Sequence, residues 1–449
     1  LVEFQAEEEV SYELFKLMVV LTHAEVCRKQ GVVNLYESGF YKTLKQPFTT
    51  MSCATLIPLC AILQNFFAVP QSAEYCNYLI KNDYISILLN AVKKHIQEEA
   101  FLVAAFPVLA LIVRTLEGCS TFIALRGVPL ITDLVRDHHD NEPLCASGLR
   151  VLASCSLDKS SFKELADKGI IAIVLEHIDT ARPELLAVLM EIAKNMTTDE
   201  AYARMMEDAG VVEHYLGVVE RCGEEEAVMS GVTGCCKNMC FSEKSVALFL
   251  EQKMAVALLR VMKLHSAAKP VQFYSAAVIE ALLQRENLCA ELMDNEVLPV
   301  LIHAVSLLAE DAEAQLVLFA VIQRLLDEEA LAFTAASFNE HHFLAAVGEA
   351  LAVHHAEEAV VIPILTALLA VSRRVEGYFS AVEDASFFKP FASCYVVEKS
   401  SATVVDLMLQ LIALMNVEDD TMVMMMLEGD VLFMAMSLLK VTKDVAIME

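Results

Sequence analysis

The sequence predicts an all-α chain of stacked helical repeats, and three observations predict it. Turn-forming residues are scarce, the apolar content suits helices buried on nearly every side, and one short pattern recurs about every 42 residues. Each of these bounds the fold in a different way.

The scarcity comes first. In 449 residues there are only 14 glycines and 11 prolines, while hydrophobic residues make up 56%. Strands and their turns would demand more Gly, Thr and aromatic residues at period two. A chain rich in Ala, Leu, Val and Met with few turn formers is one of helices with short connections.

The apolar runs are next. The longest, Ala100–Val113 and Ala359–Ser372, are about 14 residues each and contain Pro107 and Pro363. A membrane span needs roughly 18 or more apolar residues, so no span is expected. These runs are read as helices buried in the middle of a stack.

The recurring unit is a short amphipathic helix, a turn at Gly or Asn, and a second apolar helix. Its clearest copies are Phe122-Ile-Ala-Leu-Arg-Gly127, Phe162-Lys-Glu-Leu-Ala-Asp-Lys-Gly169, Ala203-Arg-Met-Met-Glu-Asp-Ala-Gly210, Leu248-Phe-Leu-Glu-Gln-Lys253 and Ala290-Glu-Leu-Met-Asp-Asn295. The expected turn positions 127, 169, 210, 253 and 295 are 42, 41, 43 and 42 residues apart. Looser copies place turns at Gly31, Asn82 and Gly429, with others near His341 and Asp384, giving roughly ten units. A glycine at such a reversal is expected to supply a positive φ.

This period, with Gly between a short and a longer helix, resembles the armadillo repeat within the wider armadillo/HEAT class. Gly127-Val-Pro-Leu-Ile and Asn295-Glu-Val-Leu-Pro resemble the start of that family's second helix. The resemblance covers essentially the whole chain and implies a right-handed α-solenoid with three helices per repeat, the third lining a concave face. It implies one solenoid over residues 1–449, with looser repeats in 1–95, regular ones in 96–330 and divergent ones with a cap in 331–449.

The resemblance also implies candidate site residues. Lys194-Asn195-Met196 and Lys237-Asn238-Met239 match the family's third-helix asparagine, and Asn65 is a third candidate. Such asparagines hold an extended peptide by its backbone. The chain departs from the peptide-groove class, importin-α among them, in having no Trp: Glu191 and Gly234 stand one turn before Asn195 and Asn238. A nuclear-import receptor is therefore not expected.

Charge narrows the partners. With 61 acidic and 33 basic residues the formal net charge is −28. That surface repels bare nucleic acid and anionic lipid and favours basic partners. Basic clusters such as Arg28-Lys29 and Lys93-Lys94 are too short to track a nucleic-acid backbone. The runs Glu7–Glu9, Glu224–Glu226 and Glu418–Asp420 are read as solvated helix starts, where carboxylates complement the dipole. Glu224, Glu225 and Glu226 are kept as candidates for a partner's basic groups, since they lead into the helix carrying Asn238.

The 13 cysteines show no framework spacing and suit free thiols in a reducing compartment. Cys222, Cys235, Cys236 and Cys240 lack the paired knuckles of a zinc site and are read as core. The pairs His138-His139, His341-His342 and His354-His355 are read as solvated loop residues. Met422 and Met424–Met426 are read as core of the last repeat. No phosphate loop, nucleophile elbow or dinucleotide fingerprint is present.

The expectation is a non-catalytic scaffold or adaptor in a larger assembly, binding other proteins through basic or apolar contacts on its concave face and ends, with no cofactor, metal or DNA. One alternative is a subunit of an RNA–protein complex in RNA processing, acting through protein contacts. Another is a structural ciliary or cytoskeletal armadillo protein. The expected compartment is the cytoplasm. An organelle matrix is the alternative if a targeting segment preceded Leu1, since the chain lacks an initiator Met.

Overall fold

The computed structural model describes residues 8–23, 28–67, 72–375, 378–379, 385–395, 400–415 and 420–441. All regular structure among them is helical. The chain divides into two compact units, Leu1–His214 and Tyr215–Glu449.

One repeat from the first unit shows how the sequence builds the fold. Its first helix is Leu116–Ala124, its second Gly127–Asp137 and its third Glu142–Cys155. Thr115 Oγ1 accepts from the Gly118 N–H at 3.1 Å and starts the first helix. Arg126, at φ 60°, reverses the chain directly ahead of the second. Asn141 Oδ1 accepts from the Leu144 N–H at 3.1 Å and starts the third. The second unit repeats the plan in Glu243–Glu251, Met254–Leu264 and Lys269–Leu283, with Ser242 and Lys253 at the corresponding junctions.

A left-handed residue marks the junction before the second helix with great regularity. Gly39, Asp83, Arg126, Gly169, Gly210, Lys253, Glu296 and His342 all have positive φ, at intervals of 41 to 46 residues, and Asp430 follows later. The expected turns at Asn82, Asn295 and Gly429 therefore each fall one residue early, and the one at Gly127 falls one residue late. Gly31 is no turn at all: it lies inside the helix Arg28–Glu37, and the reversal is at Gly39. Asp384 lies outside the described residues.

The glycines beside these turns serve space rather than φ. A Cβ on Gly127 would sit 2.3 Å from the Phe122 ring, and one on Gly429 would sit 2.3 Å from the Phe388 Cβ. Gly169 and Gly210 do fill the left-handed position, at φ 75° and 85°.

A second recurring device closes the second helix onto the third. Gln272 Nε2 donates to the carbonyls of Met262 (2.7 Å) and His265 (3.0 Å). Gln315 Nε2 does the same to Val305 and Leu308, both at 2.9 Å. In the first unit the Cys145 thiol takes this place, toward Val135 and His138. A buried donor here satisfies carbonyls that the helix end leaves without partners.

Third helices pack on one another in sequence. In the first unit the row is Glu8–His23, Cys53–Phe66, Glu99–Val113, Glu142–Cys155 and Pro183–Met196. In the second it is Glu226–Met239, Lys269–Leu283, Ala312–Asp327, Glu358–Arg374 and Ala402–Leu414. Fully buried phenylalanines, among them Phe101, Phe106 and Phe122 in the first unit and Phe249, Phe319 and Phe338 in the second, fill the layers between helices. Each contributes roughly 1.5–3 kcal/mol by burial.

First-turn glutamates bracket neighbouring third helices. Glu8 Oε1 accepts from the Ser52 N–H at 2.7 Å, Glu99 Oε2 from Asn141 Nδ2 at 2.6 Å, and Glu358 Oε1 from the Ser401 N–H at 2.6 Å. Acidity at these helix starts thus joins repeats, and Glu8, read from sequence as part of a solvated helix start, is one of the three. Glu7, Glu418 and Asp419 lie outside the described residues. No single helix among the described residues is long and apolar enough to cross a membrane; one pair, bent by 75°, reaches the length only when joined.

Two further readings are adjusted. His354 is buried rather than solvated, its Nε2 3.0 Å from the Ala309 carbonyl and its Nδ1 3.1 Å from Glu357 Oε1. In the tail, Met422, Met425 and Met426 are buried as expected, whereas Met424 is 55% exposed.

Candidate partner-binding face

The third helices carry every asparagine singled out from sequence, one residue before each helix ends. Asn65 lies on Cys53–Phe66, Asn195 on Pro183–Met196 and Asn238 on Glu226–Met239, and all three are half-buried. In the first unit their amides have a structural task. Asn65 Nδ2 donates to Thr22 Oγ1 at 2.8 Å, and Asn195 Nδ2 donates to Ser156 Oγ at 3.0 Å. Each hydroxyl sits at or near the end of the preceding third helix, so the side chain ties one repeat to the next. A primary amide has a second N–H and a carbonyl oxygen beyond that bond.

In the second unit Asn238 stands beside Lys237. The Lys237 ammonium bonds Glu313 Oε1 at 2.8 Å and lies 4.3 Å from the Phe273 ring centroid and 5.9 Å from that of Tyr274. Three successive third helices therefore converge on one cation. Phe273 and Tyr274 also border an open cleft of about 610 Å³ lined by Lys269, Pro270, Glu310, Asp311 and Glu313. Sequence reasoning passed over this cluster. Its only signal is an adjacent Phe-Tyr pair early in a third helix, 36 residues after Lys237.

Glu224, Glu225 and Glu226 are exposed, with Glu225 immediately before and Glu226 opening the helix Glu226–Met239. They form no ion pair among the described residues. Cys222, Cys235 and Cys236 are buried and Cys240 is half-buried. Burial pushes the Cys236 thiol up, and the Cys240 thiol up to about 12. No group of three or more His, Cys, Asp or Glu side chains that could hold a metal occurs among the described residues. His341 and His342 border a recess of about 500 Å³ with His303, Ser306 and Glu349.

No family model matches this chain, and no curated protein matches it in sequence. Solved structures do match in fold. An engineered protein solved by the Northeast Structural Genomics Consortium aligns with a TM-score of 0.63 at 13% identity, over 91% of this chain and 95% of its own. A chain from a structural study of a phosphorylation switch in the cadherin–β-catenin interaction aligns with a TM-score of 0.56 at 12% identity, over 98% of this chain and 94% of its own. At such identities the likeness concerns the fold. The class it defines is the all-α solenoid of helical repeats.

Proposed function

We propose that this chain is a non-catalytic scaffold that binds other proteins along its rows of third helices, as a component of a larger assembly. The observation that carries this reading is the composition of those rows. Their half-exposed side chains include the amides of Gln64, Asn65, Asn195 and Asn238 and the rings of Phe273 and Tyr274, set among small and apolar groups over successive repeats. Such a surface suits an extended or helical partner better than a small substrate. The fold it shares with a chain from the cadherin–β-catenin study supports the same reading.

In this reading Asn65, Asn195 and Asn238 hold a partner's backbone through their amides, and Glu224, Glu225 and Glu226 meet its basic side chains. The net charge of −28 favours basic partners and disfavours direct contact with RNA or DNA.

The test is affinity purification of the tagged protein from its native cell, split with and without nuclease, followed by quantitative mass spectrometry. Stoichiometric protein partners that survive nuclease are expected. Recovery of the chain alone, or loss of every partner with nuclease, would refute the proposal, and the second result would favour an RNA–protein complex.

A further inference from the structure

We infer that the cleft between the third helices Lys269–Leu283 and Ala312–Asp327 is a socket for a basic side chain, lysine or arginine, of an extended partner segment. The inference rests on the scaffold reading and names the chemistry of one of its contacts. Three features of the cleft carry it.

The first is a pair of aromatic faces. Phe273 and Tyr274 have ring centroids 5.5 Å apart, and both are half-buried, so they border the cleft without being sealed in the core. Aromatic faces attract cations within about 6 Å of the centroid.

The second is charge. The carboxylates of Glu310, Asp311 and Glu313 line the opening against a single lining ammonium, that of Lys269. Asp311 also caps the helix behind it through Ala314 N–H, which fixes its position at the rim.

The third is the resident Lys237. Its ammonium already sits over Phe273 with Glu313 as counter-ion, although it reaches there from a different helix. This is the arrangement a partner's basic side chain would reproduce against Tyr274, with Glu310 and Asp311 as counter-ions. Lys237 sits over Phe273 without lining the cleft, and the space of about 610 Å³ bordered by Phe273 and Tyr274 is open. An aliphatic stem on Pro270 and Leu308 with its charged head at the carboxylates would fill it.

The geometry gives Lys237 a second role: its ammonium lies 5.9 Å from the Tyr274 centroid and neutralises Glu313 at the cleft, so it opposes a partner's cation there. Removing it should therefore strengthen the socket, an effect opposite to the loss of an ordinary structural ion pair.

The test uses the full chain and a fluorescein-labelled peptide, Gly-Arg-Gly-Arg-Gly-Arg-Gly, by fluorescence anisotropy. Salt is set high enough to shrink the screening length below ~8 Å, so that general attraction to the acidic surface is suppressed. Tyr274→Ala leaves the charge unchanged and is expected to weaken binding roughly five- to tenfold, the range expected for one partly desolvated cation–π contact. Lys237→Met is expected to strengthen binding severalfold. Urea melts of both variants report whether the fold is intact, and Glu310→Gln serves as a surface variant that leaves packing untouched and should weaken binding. Unchanged affinity in Tyr274→Ala and Glu310→Gln, or weaker binding in a folded Lys237→Met, overturns the socket. The same variants used as bait separate the two ideas. Partners that still co-purify when the peptide ignores the cleft leave the scaffold standing without the socket, whereas a bait with no protein partners refutes the scaffold itself.

Discussion

Replacing glycine by alanine should have opposite effects at two helical positions of this chain. Gly118 lies in the helix Leu116–Ala124, and a Cβ built there falls 2.1 Å from the carbonyl oxygen of Ile112, at the end of the preceding third helix. An ordinary carbon–oxygen contact is ~3.3 Å, so the two helices must part by about 1.2 Å. The obstacle is backbone, next to an Ile112 side chain with 0% exposure, and no rotamer change relieves it. Overpacking of this kind costs ~1–3 kcal/mol, with the upper part of the range expected here. The better helix propensity of alanine returns at most ~1 kcal/mol. Gly118→Ala should therefore destabilise the first unit by about 2 kcal/mol. Gly217 lies in the helix Tyr215–Cys222 with nothing within 4 Å of its Cβ. Gly217→Ala should stabilise the second unit by ~0.5–1 kcal/mol. Urea unfolding followed by circular dichroism measures both shifts, and hydrogen exchange assigns each to its repeat. A neutral or stabilising Gly118→Ala would refute the view that Gly118 is there to let its helix approach the Ile112 carbonyl.

Four other outcomes follow from contacts already described. Glu8 has its pKa lowered chiefly by the hydrogen bonds from Ser52, so its contribution to stability is full above the ordinary carboxyl range near ~4.3 and fades as pH falls through the lowered value; Glu8→Gln should lower stability at neutral pH and flatten the profile in that acid window. Gln272→Leu strips both donors from the Met262 and His265 carbonyls and should cost ~2–3 kcal/mol in a urea melt. Brief alkylation of the native protein should modify half-exposed Cys53 well before buried Cys60, whose thiol is pushed up to about 12 by burial; peptide mass spectrometry reads the order. Asn195→Ala removes the bond to Ser156 and should cost ~1 kcal/mol, with a matching drop in partner recovery measured by the affinity purification.

Periodicity is what made this fold legible. A stack of helices with apolar seams can be recognised from spacing alone, because every repeat must present the same faces to its neighbours. Turn chemistry was not legible to the residue. At Arg126-Gly127 the glycine draws attention, yet Arg126 takes the left-handed conformation and Gly127 clears the Phe122 ring. The third-helix position of Asn65, Asn195 and Asn238 was readable, but the hydroxyls of Thr22 and Ser156 are 43 and 39 residues away from the amides they accept from. Lys237, Phe273 and Glu313 were invisible for the same reason. Their meeting depends on the register of three third helices, which no local pattern encodes. Cys145, Gln272 and Gln315 share one place in the repeat with two different chemistries, a case where position outlasts residue identity.

The left-handed junctions have a practical consequence. Six of them are occupied by residues with a Cβ: Asp83, Arg126, Lys253, Glu296, His342 and Asp430. Each holds a conformation that is disfavoured by roughly 1–2 kcal/mol for an L-residue, and the greater freedom of unfolded glycine offsets part of what a replacement would recover. None of the hydrogen bonds and ion pairs described for these six residues joins one of them to another, so small gains at separate junctions should add. The chain thus holds a distributed reserve of stability that an engineer could draw on one junction at a time, without touching either row of third helices.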